Sequence, residues 1–424
     1  MSHLATLVTF VSFASLAMHL THLSLTNFRN FSRLDIDLPK ESVLLVGDNA
    51  QGKTSILEAI YFMAAFTSFQ THTDRQLVNF IAARSKELTV GRIIVDFKSK
   101  ETSHRLEARL ILEPVGVNGK RLRKEILLNG VKRQTSEAIG HLNAVLFVPQ
   151  MSQIIEGSPR ERRRYLNQTL AQIIPAYART LSEYTQAITQ RNALLKQLGE
   201  RGGDPDQLAF WDETVVGRGA RLIFWRIQAL QELEILAARV HHELTHGAEV
   251  LRLNYQPAYD PLPTPENQYA LKMDTAPDRA GFELDSIKEG FAERLISLRA
   301  EEIARGVTTI GPHRDELRFL ANGIDLGDYG SRGQMRTALL SLKLAEVDWM
   351  KNRSGEWPLI LLDEVMAELD PQRRHDLLKY LDKSEQTLLT TTDLTLFNEE
   401  FTEQATIWEV EKGTVKNNIG DKGD

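Results

Sequence analysis

At 424 residues the chain is long enough for two or three domains with substantial cores, and 42% hydrophobic with 25% charged residues is the composition of an ordinary soluble globular protein. A formal net charge of -6 excludes a polycation that binds nucleic acid indiscriminately, so any such contact must come from local patches. The absence of cysteine excludes disulfides, thiolate zinc sites and a cysteine nucleophile, and fits a reducing compartment. Residues 1–17, "MSHLATLVTFVSFASLA", are the one stretch that suggests export, yet no Lys or Arg precedes Arg29 and the apolar run is too short to span a bilayer. Two readings stand for it: a disordered or loosely packed extension, or a start site placed too far upstream of Met18.

From Leu23, alternation in "LSLTNFRNFSRLDIDL" predicts two strands about a polar turn, and "SVLLV" a buried strand. "GDNAQGKTSILEAIYFMAAF" follows as a Gly-rich turn that becomes a helix. Antiparallel strands are predicted in "LEARLILEPVGVNGKRLRKEILLNGVKRQT", joined at Asn118-Gly119 and Asn129-Gly130. Residues 18–157 thus read as α/β with an added antiparallel layer.

Ser158, Pro159 and Glu161 have the spacing of a helix start, with a capping Ser, a Pro at the first helical position and a Glu three residues after the cap. Helical periodicity runs to about Leu198, breaks at "GERGGDPD" and resumes from Gln207 to about His246. A loop rich in proline (Pro257, Pro261, Pro263, Pro265, Pro277) precedes the helix "SIKEGFAERLISLRAEEIARG". Residues 158–306 are expected to form an inserted α-helical domain whose arms are too short for a long coiled coil. The α/β pattern returns over 307–412, where Ala338, Leu339, Leu342, Ala345 and Trp349 make one apolar helix stripe. There "WPLILLDEV" reads as a buried strand ending on two acids and "QTLLTTTD" as another ending on Asp393; residues 413–424 read as a polar tail.

Gly47, Asp48, Asn49, Ala50, Gln51, Gly52, Lys53 and Thr54 match the phosphate-binding pattern G-x-x-x-x-G-K-[ST], with a strand before and a helix after. Such a loop wraps phosphates in backbone N–H groups, Lys53 neutralises β/γ charge and Thr54 can ligate Mg²⁺. Asp363 is placed to hold Mg²⁺ and Glu364 to polarise an attacking water. "YGSRGQMRTALLSLKLAE" places Ser331, Gly333 and Gln334 at a helix start. Alone, "SRGQ" is a helix cap. With the phosphate loop and the strand-end acids it matches the signature of ABC-type ATPases, which binds the γ-phosphate held by the opposite subunit, and the positive end of the helix suits an anion.

The cations fall in two patches. Arg160, Arg162, Arg163 and Arg164 crowd a first helical turn, where the dipole disfavours them, so their anion is Glu156, Glu161, DNA phosphate or solvent. The hairpin carrying Lys120, Arg121, Arg123, Lys124, Lys132 and Arg133 is either a second DNA contact or an edge strand that lysines protect from aggregation. "GPHRD", Gly311 to Asp315, has no metal-ligand spacing.

In order, "LTNFRNF", "GDNAQGKTSILEAI", "EGSPRERRRYLN", "RGVTTIGPHRDEL", "YGSRGQMRTALLSLKLAE" and "LLLDEVMAELD" resemble the RecF family, DNA-repair ATPases of the SMC group, from about Met18 to Asp393. The resemblance implies an ABC-type P-loop ATPase head in the cytoplasm, slow and DNA-stimulated, with ATP and Mg²⁺ as cofactors. It implies an ATP-dependent homodimer that binds gapped DNA or single/double-strand junctions and, with RecO and RecR, loads RecA. It places Asp370 on the loop that touches the opposing site and Asp393 where transporter ATPases carry a switch histidine. Gln150 stands where the family has Pro-Glu-Asp, so it is either a magnesium or water ligand or a plain loop residue. The rivals are a transporter ATPase subunit, an SMC-like structural tether and a small-molecule kinase. The long helical insertion and Asp393 count against the first, the short arms against the second, and the signature against the third.

Overall fold

The computed structural model describes residues 18–84, 87–115, 119–262, 279 and 281–417. The stretch 1–17, Asn118, Pro263, Pro265, Pro277 and the tail beyond 417 lie outside them.

The chain opens with the hairpin β1 (His19–Phe28) and β2 (Phe31–Asp37), then the short β3 (Val43–Val46), whose run into α1 (Lys53–Ala65) forms the Gly-rich loop. β4 (Thr89–Ser99), β5 (Thr102–Val115), β6 (Gly119–Leu128) and β7 (Val131–Arg133) form a meander, and β8 (Ala144–Phe147) leads to the helices α2 (Pro159–Ile173), α3 (Tyr177–Arg201) and α4 (Ala209–Leu244). β9 (Leu251–Gln256), α5 (Leu284–Ser297), α6 (Arg299–Arg305), β10 (Glu316–Ala321) and β11 (Ile324–Asp325) precede the long α7 (Arg332–Ser354). β12 (Leu359–Asp363), α8 (Pro371–Leu381), β13 (Thr387–Thr391), β14 (Thr406–Glu411) and β15 (Thr414–Asn417) end the described chain.

Three sheets result. β2-β1-β4-β5-β6-β7 is antiparallel, β11-β10-β9 is a small antiparallel sheet, and β15-β14-β3-β13-β12-β8 is parallel except at β15. β8, β12 and β13 are buried along their whole length, as parallel strands covered on both faces must be. Alternate residues of the parallel sheet enter different cores. Val43, Leu45, Leu359, Leu361 and Leu388 pack with α1 and the antiparallel sheet, while Leu44, Ile360, Leu362 and Leu389 pack with α7 and the helices around it. α1 is therefore buried almost all round, and its phosphate-loop end is held between two sheets.

The inserted helices do not pack as a unit of their own. One apolar cluster runs from Leu170, Val215 and Phe291 to Leu342 and Leu389, and Glu232 on α4 accepts hydrogen bonds from Trp349 and Arg353 of α7, each at 2.8 Å. Among the described residues, only the far end of α3, with Leu195 and Leu198 against Leu208, forms a satellite cluster. Within the stretch expected to be helix and loop lies a strand, β9, whose Leu251, Leu253 and Tyr255 alternate inward. The expected single helix over 286–306 is two, α5 and α6, and β15 takes up part of the expected polar tail. Ser158 does start α2, with Pro159 at its first position, but its hydroxyl makes no cap bond.

Candidate nucleotide site

Sheet order assembles the site. β13 lies between β3 and β12, so the Gly-rich loop, Thr390 and the acids after β12 meet at one sheet edge. Gly52 has φ +118°, and a Cβ there would stand 2.6 Å from Asn30 Nδ2 and 2.9 Å from Phe31; only glycine lets α1 begin so close beneath the β1–β2 turn. A Cβ at Gly47 would meet the Val410 carbonyl at 2.3 Å.

Lys53, 4% exposed, donates to the carbonyls of Gly47 at 2.5 Å and Asp48 at 3.1 Å and pairs with Glu364 Oε1 at 3.1 Å. The Thr54 hydroxyl donates to Asp363 Oδ1 at 2.7 Å and the Thr390 hydroxyl to the same oxygen at 2.8 Å. The Glu364 N–H donates to Thr390 Oγ1 at 3.0 Å, which fixes Glu364 in a left-handed backbone conformation, φ 55°. Burial pushes the Asp363 carboxyl above the usual carboxylate range, with the two hydroxyls opposing. Thr54, Asp48, Asn49, Ala50, Gln51 and Lys53 line a cleft of roughly 680 Å³ together with Arg29, Asn30, Asn79, Phe80, Ile81 and Glu364. Thr54 and Asp363 supply hard oxygens of the kind Mg²⁺ takes. No cluster of three or more metal-ligating side chains occurs among the described residues, so phosphates or water would complete the shell of a cation held here.

Thr390 and Asn79 escape motif reading, and Arg29 enters only as part of "LTNFRNF", with no role read for it. Thr390 is legible only as one of three threonines ending a strand. Arg29 forms a two-pronged bond to the fully buried Glu58 on α1 (2.5 and 3.1 Å) and binds Gln70 at 2.9 Å.

Ser331 and Gln334 form a capping box: Ser331 Oγ accepts from Gln334 N at 3.2 Å, and Gln334 Oε1 accepts from Ser331 N at 3.0 Å. Both the cap and an outward-facing helix end are present, since Ser331 and Gly333 are exposed. A Cβ at Gly333 would meet nothing of this chain nearer than Ser331 Oγ at 3.9 Å, so packing within the chain does not require glycine there. Gln334 Nε2 also donates to Glu249 at 2.8 Å.

Gln150 lies exposed after β8, in a crevice with Tyr61, Arg164 and Lys343 rather than in the nucleotide cleft. Asp370 caps α8 through Arg373 N at 3.1 Å, and despite desolvation the bonds from Arg373 hold its carboxyl below the usual range. Asp393, exposed after β13, caps the following turn by accepting from Thr395 N at 2.9 Å.

The basic patches are largely committed within the chain. Arg162 grips Glu316 with two bonds, 2.6 and 2.9 Å, and donates to the Ile155 and Gly157 carbonyls, so its anion is neither Glu156 nor Glu161. Arg163 donates to the Asp315 carbonyl and Arg164 to that of Ser68. On the hairpin, Arg123 pairs with Glu113 and Glu125, Lys124 with Asp74 and Lys132 with Glu125, while Lys120 donates to the Ala83 carbonyl. Arg160, Arg121 and Arg133 are exposed.

"GPHRD" is a buried knot. Asp315 accepts from Arg226 at 2.6 Å, Tyr255 at 2.5 Å and Ala258 N at 2.9 Å, while Arg226 also donates to the Pro312 carbonyl and to Asn167 of α2. The motif thereby ties α2, α4 and β9 together.

No helix among the described residues is long and apolar enough to cross a membrane. Residues 19–416 match the RecF/RecN/SMC N terminal domain family. The chain is 38% identical over 398 residues to the DNA replication and repair protein RecF of Chloroflexus aurantiacus, covering 91% of this chain and 96% of that one. It is 36% identical over 382 residues to RecF of Halothermothrix orenii, covering 90% and 94%. The solved structure of the recombination mediator protein RecF-ATPrS in the RecFOR pathway superposes with a TM-score of 0.79 at 29% identity, covering 96% of this chain and 100% of that one. With its parallel sheet, phosphate loop and strand-end acids, the chain belongs to the RecF family of ABC-type ATPases.

Proposed function

We propose that this ATPase is a DNA clamp of recombinational repair and replication-fork maintenance: ATP joins two copies head to tail, the dimer holds gapped DNA or a single/double-strand junction, and hydrolysis releases it. In this reading the cleft of one copy supplies Gly47–Thr54, Asp363 and Glu364, and the other supplies Ser331, Gly333 and Gln334. The observation that carries it is Gly333, an exposed glycine in a first helical turn with no neighbour in its own chain that demands one. Glycine costs a helix about 1 kcal/mol. What it allows is close approach of a phosphate to the helix N-terminus.

Lys53 is placed to take phosphate charge, and a phosphate there competes with Glu364 for the same ammonium. Thr54 and Asp363 would hold Mg²⁺, which draws charge from the β- and γ-phosphates. Glu364 is the water-polarising base, Asp370 and Asp393 border the opposing subunit, and Gln150 serves as a loop residue. The structure of RecF in the RecFOR pathway supports action with RecO and RecR; loading of RecA and a cytoplasmic location are part of the same proposal. Arg160, Arg121 and Arg133, exposed, are the DNA-contact candidates left by the internal pairing of the others.

Sedimentation with Mg²⁺ and no nucleotide, ADP or a non-hydrolysable ATP analogue, each with and without gapped DNA, tests the proposal. A dimer formed only with the analogue and retaining gapped DNA is expected; a monomer throughout would overturn it.

A further inference from the structure

The two most exposed large hydrophobic side chains among the described residues are Tyr329 at 80% and Ile81 at 78%. Tyr329 lies two residues before Ser331, and Ile81 lines the nucleotide cleft beside Phe80, itself 65% exposed. Each half of the composite site thus carries an uncovered apolar group at its margin. Scattered exposed hydrophobics are ordinary, but two placed at the paired halves of one site are not scattered.

The backbone that carries each group is held in place. The buried Asn79 accepts from the backbone N–H groups of Ile81 and Ala82, both at 3.1 Å, and donates to the Arg29 carbonyl at 2.7 Å, so the lip is pinned to the β1–β2 turn. The Arg84 guanidinium covers one face of the Phe80 ring at 4.0 Å. On the other side, Asp325 accepts from Gly327 N at 2.8 Å and anchors the turn that ends at Tyr329, and Gly330 and Ser331 are extended. Two extended residues span roughly 7 Å. A second copy whose Ser331 reaches the phosphates therefore brings Tyr329 to within roughly 7 Å of Ser331, at the margin of the same cleft.

We propose that Tyr329 of one copy docks on the Phe80–Ile81 lip of the other and closes its cleft over the nucleoside. The occupant of the lip is a second copy of this chain, and the inference rests on the head-to-tail reading above. An aromatic side chain placed in a fixed apolar notch is the kind of contact that carries interface energy.

The chain has no cysteine, so a disulfide test has no background. Ile81→Cys and Tyr329→Cys proteins, each pure and then mixed, are oxidised mildly with Mg²⁺ and either ADP or a non-hydrolysable ATP analogue. A cross-linked dimer is expected only in the mixture and only with the analogue. Tyr329→Ala is expected to raise the dimer dissociation constant about tenfold or more while nucleotide affinity of the single copy is unchanged. If the unmodified protein dimerises with the analogue yet the mixture gives no cross-link, the docking is wrong and the dimer stands. If Phe80→Ala weakens single-copy nucleotide binding as much as it weakens the dimer, the lip is a platform for the base and the docking is likewise wrong. If the unmodified protein stays monomeric with the analogue, the dimer reading fails and takes the contact with it.

Discussion

Thr54 and Asp363 are 309 residues apart in sequence, and their side chains meet at 2.7 Å because β13 seats β12 one strand away from the phosphate-loop strand β3. Burial makes ionising Asp363 costly, and the Thr54 and Thr390 hydroxyls offset part of that cost. A carboxyl whose folded pKa is raised stabilises the fold below its unfolded value near 3.8, and that contribution is lost as pH rises through the folded value. Asp363→Asn keeps an acceptor for Thr54 and Thr390 without the charge. It is expected to raise the melting temperature at pH 7 while reducing Mg²⁺-dependent ATP hydrolysis by roughly 10²-fold or more. Equal or lower thermal stability would show that the charge is better compensated than its burial implies.

Glu364 and Lys53 share an ion pair at 3.1 Å, so each can be tested through the other. Glu364→Gln removes the carboxylate proposed to polarise water and frees the lysine for phosphate. Nucleotide affinity is expected to hold or rise, turnover to fall roughly 10²-fold or more, and the ATP dimer to persist in sedimentation. Lys53→Arg is expected to impair hydrolysis, since a guanidinium cannot reproduce the ammonium bonds to the Gly47 and Asp48 carbonyls. A Glu364→Gln dimer that decays as fast as the unmodified one would assign the water to another group.

Much of this site was legible because its residues are consecutive. The strand, Gly-rich loop and helix over 43–65 lie in one stretch, and local pattern alone places them. Thr390 was not legible, because its role arises from the order of β3, β13 and β12. The anion of Arg162 is hidden for the same reason: its partner Glu316 is 154 residues away, brought to the helix start by tertiary packing. β9 was hidden differently. "LRLNYQ" alternates as a strand should, but it sits between a long helix and a run of prolines, and that context outweighed its period.

Gly333 separates folding from assembly. Its Cβ would enter open space in this chain, so Gly333→Ala is expected to stabilise the single copy by about 0.5–1 kcal/mol through helix propensity. The same methyl group would crowd a phosphate approaching from another copy. The expected pattern is a higher melting temperature with weaker ATP-dependent dimerisation, and Ser331→Arg should abolish dimerisation while one nucleotide still binds. Normal dimerisation by both variants would remove the signature from the interface.

His313 gives the fold an acid limit. Burial pushes its imidazole down to about 4; the Thr308 carbonyl and Asp315 oppose this, and the charges of Arg314 and Arg163 reinforce it. Because the folded value lies below the unfolded value near 6.5, the contribution is complete above pH 6.5 and is lost as pH falls toward 4, at most about 3 kcal/mol. Urea midpoints across that window should fall less steeply for His313→Asn than for the unmodified protein. Parallel slopes would mean that the ring is not held neutral in the fold.

Arg162 and Arg160 stand two residues apart and are expected to fail in opposite ways. Arg162 is buried with Nε and Nη2 on Glu316, so Arg162→Ala leaves that carboxylate without its partner and should cost about 3 kcal/mol of stability or more. Arg160 is exposed on the same turn, and Arg160→Ala should change stability by no more than about 0.5 kcal/mol. If DNA phosphate is its anion, binding of gapped DNA to the analogue-bound dimer weakens, and the slope of log affinity against log salt drops by about one. An Arg160→Ala protein with the affinity and salt slope of the unmodified one would move the DNA contact away from this helix, leaving Arg121 and Arg133 on the hairpin as the positions to change next.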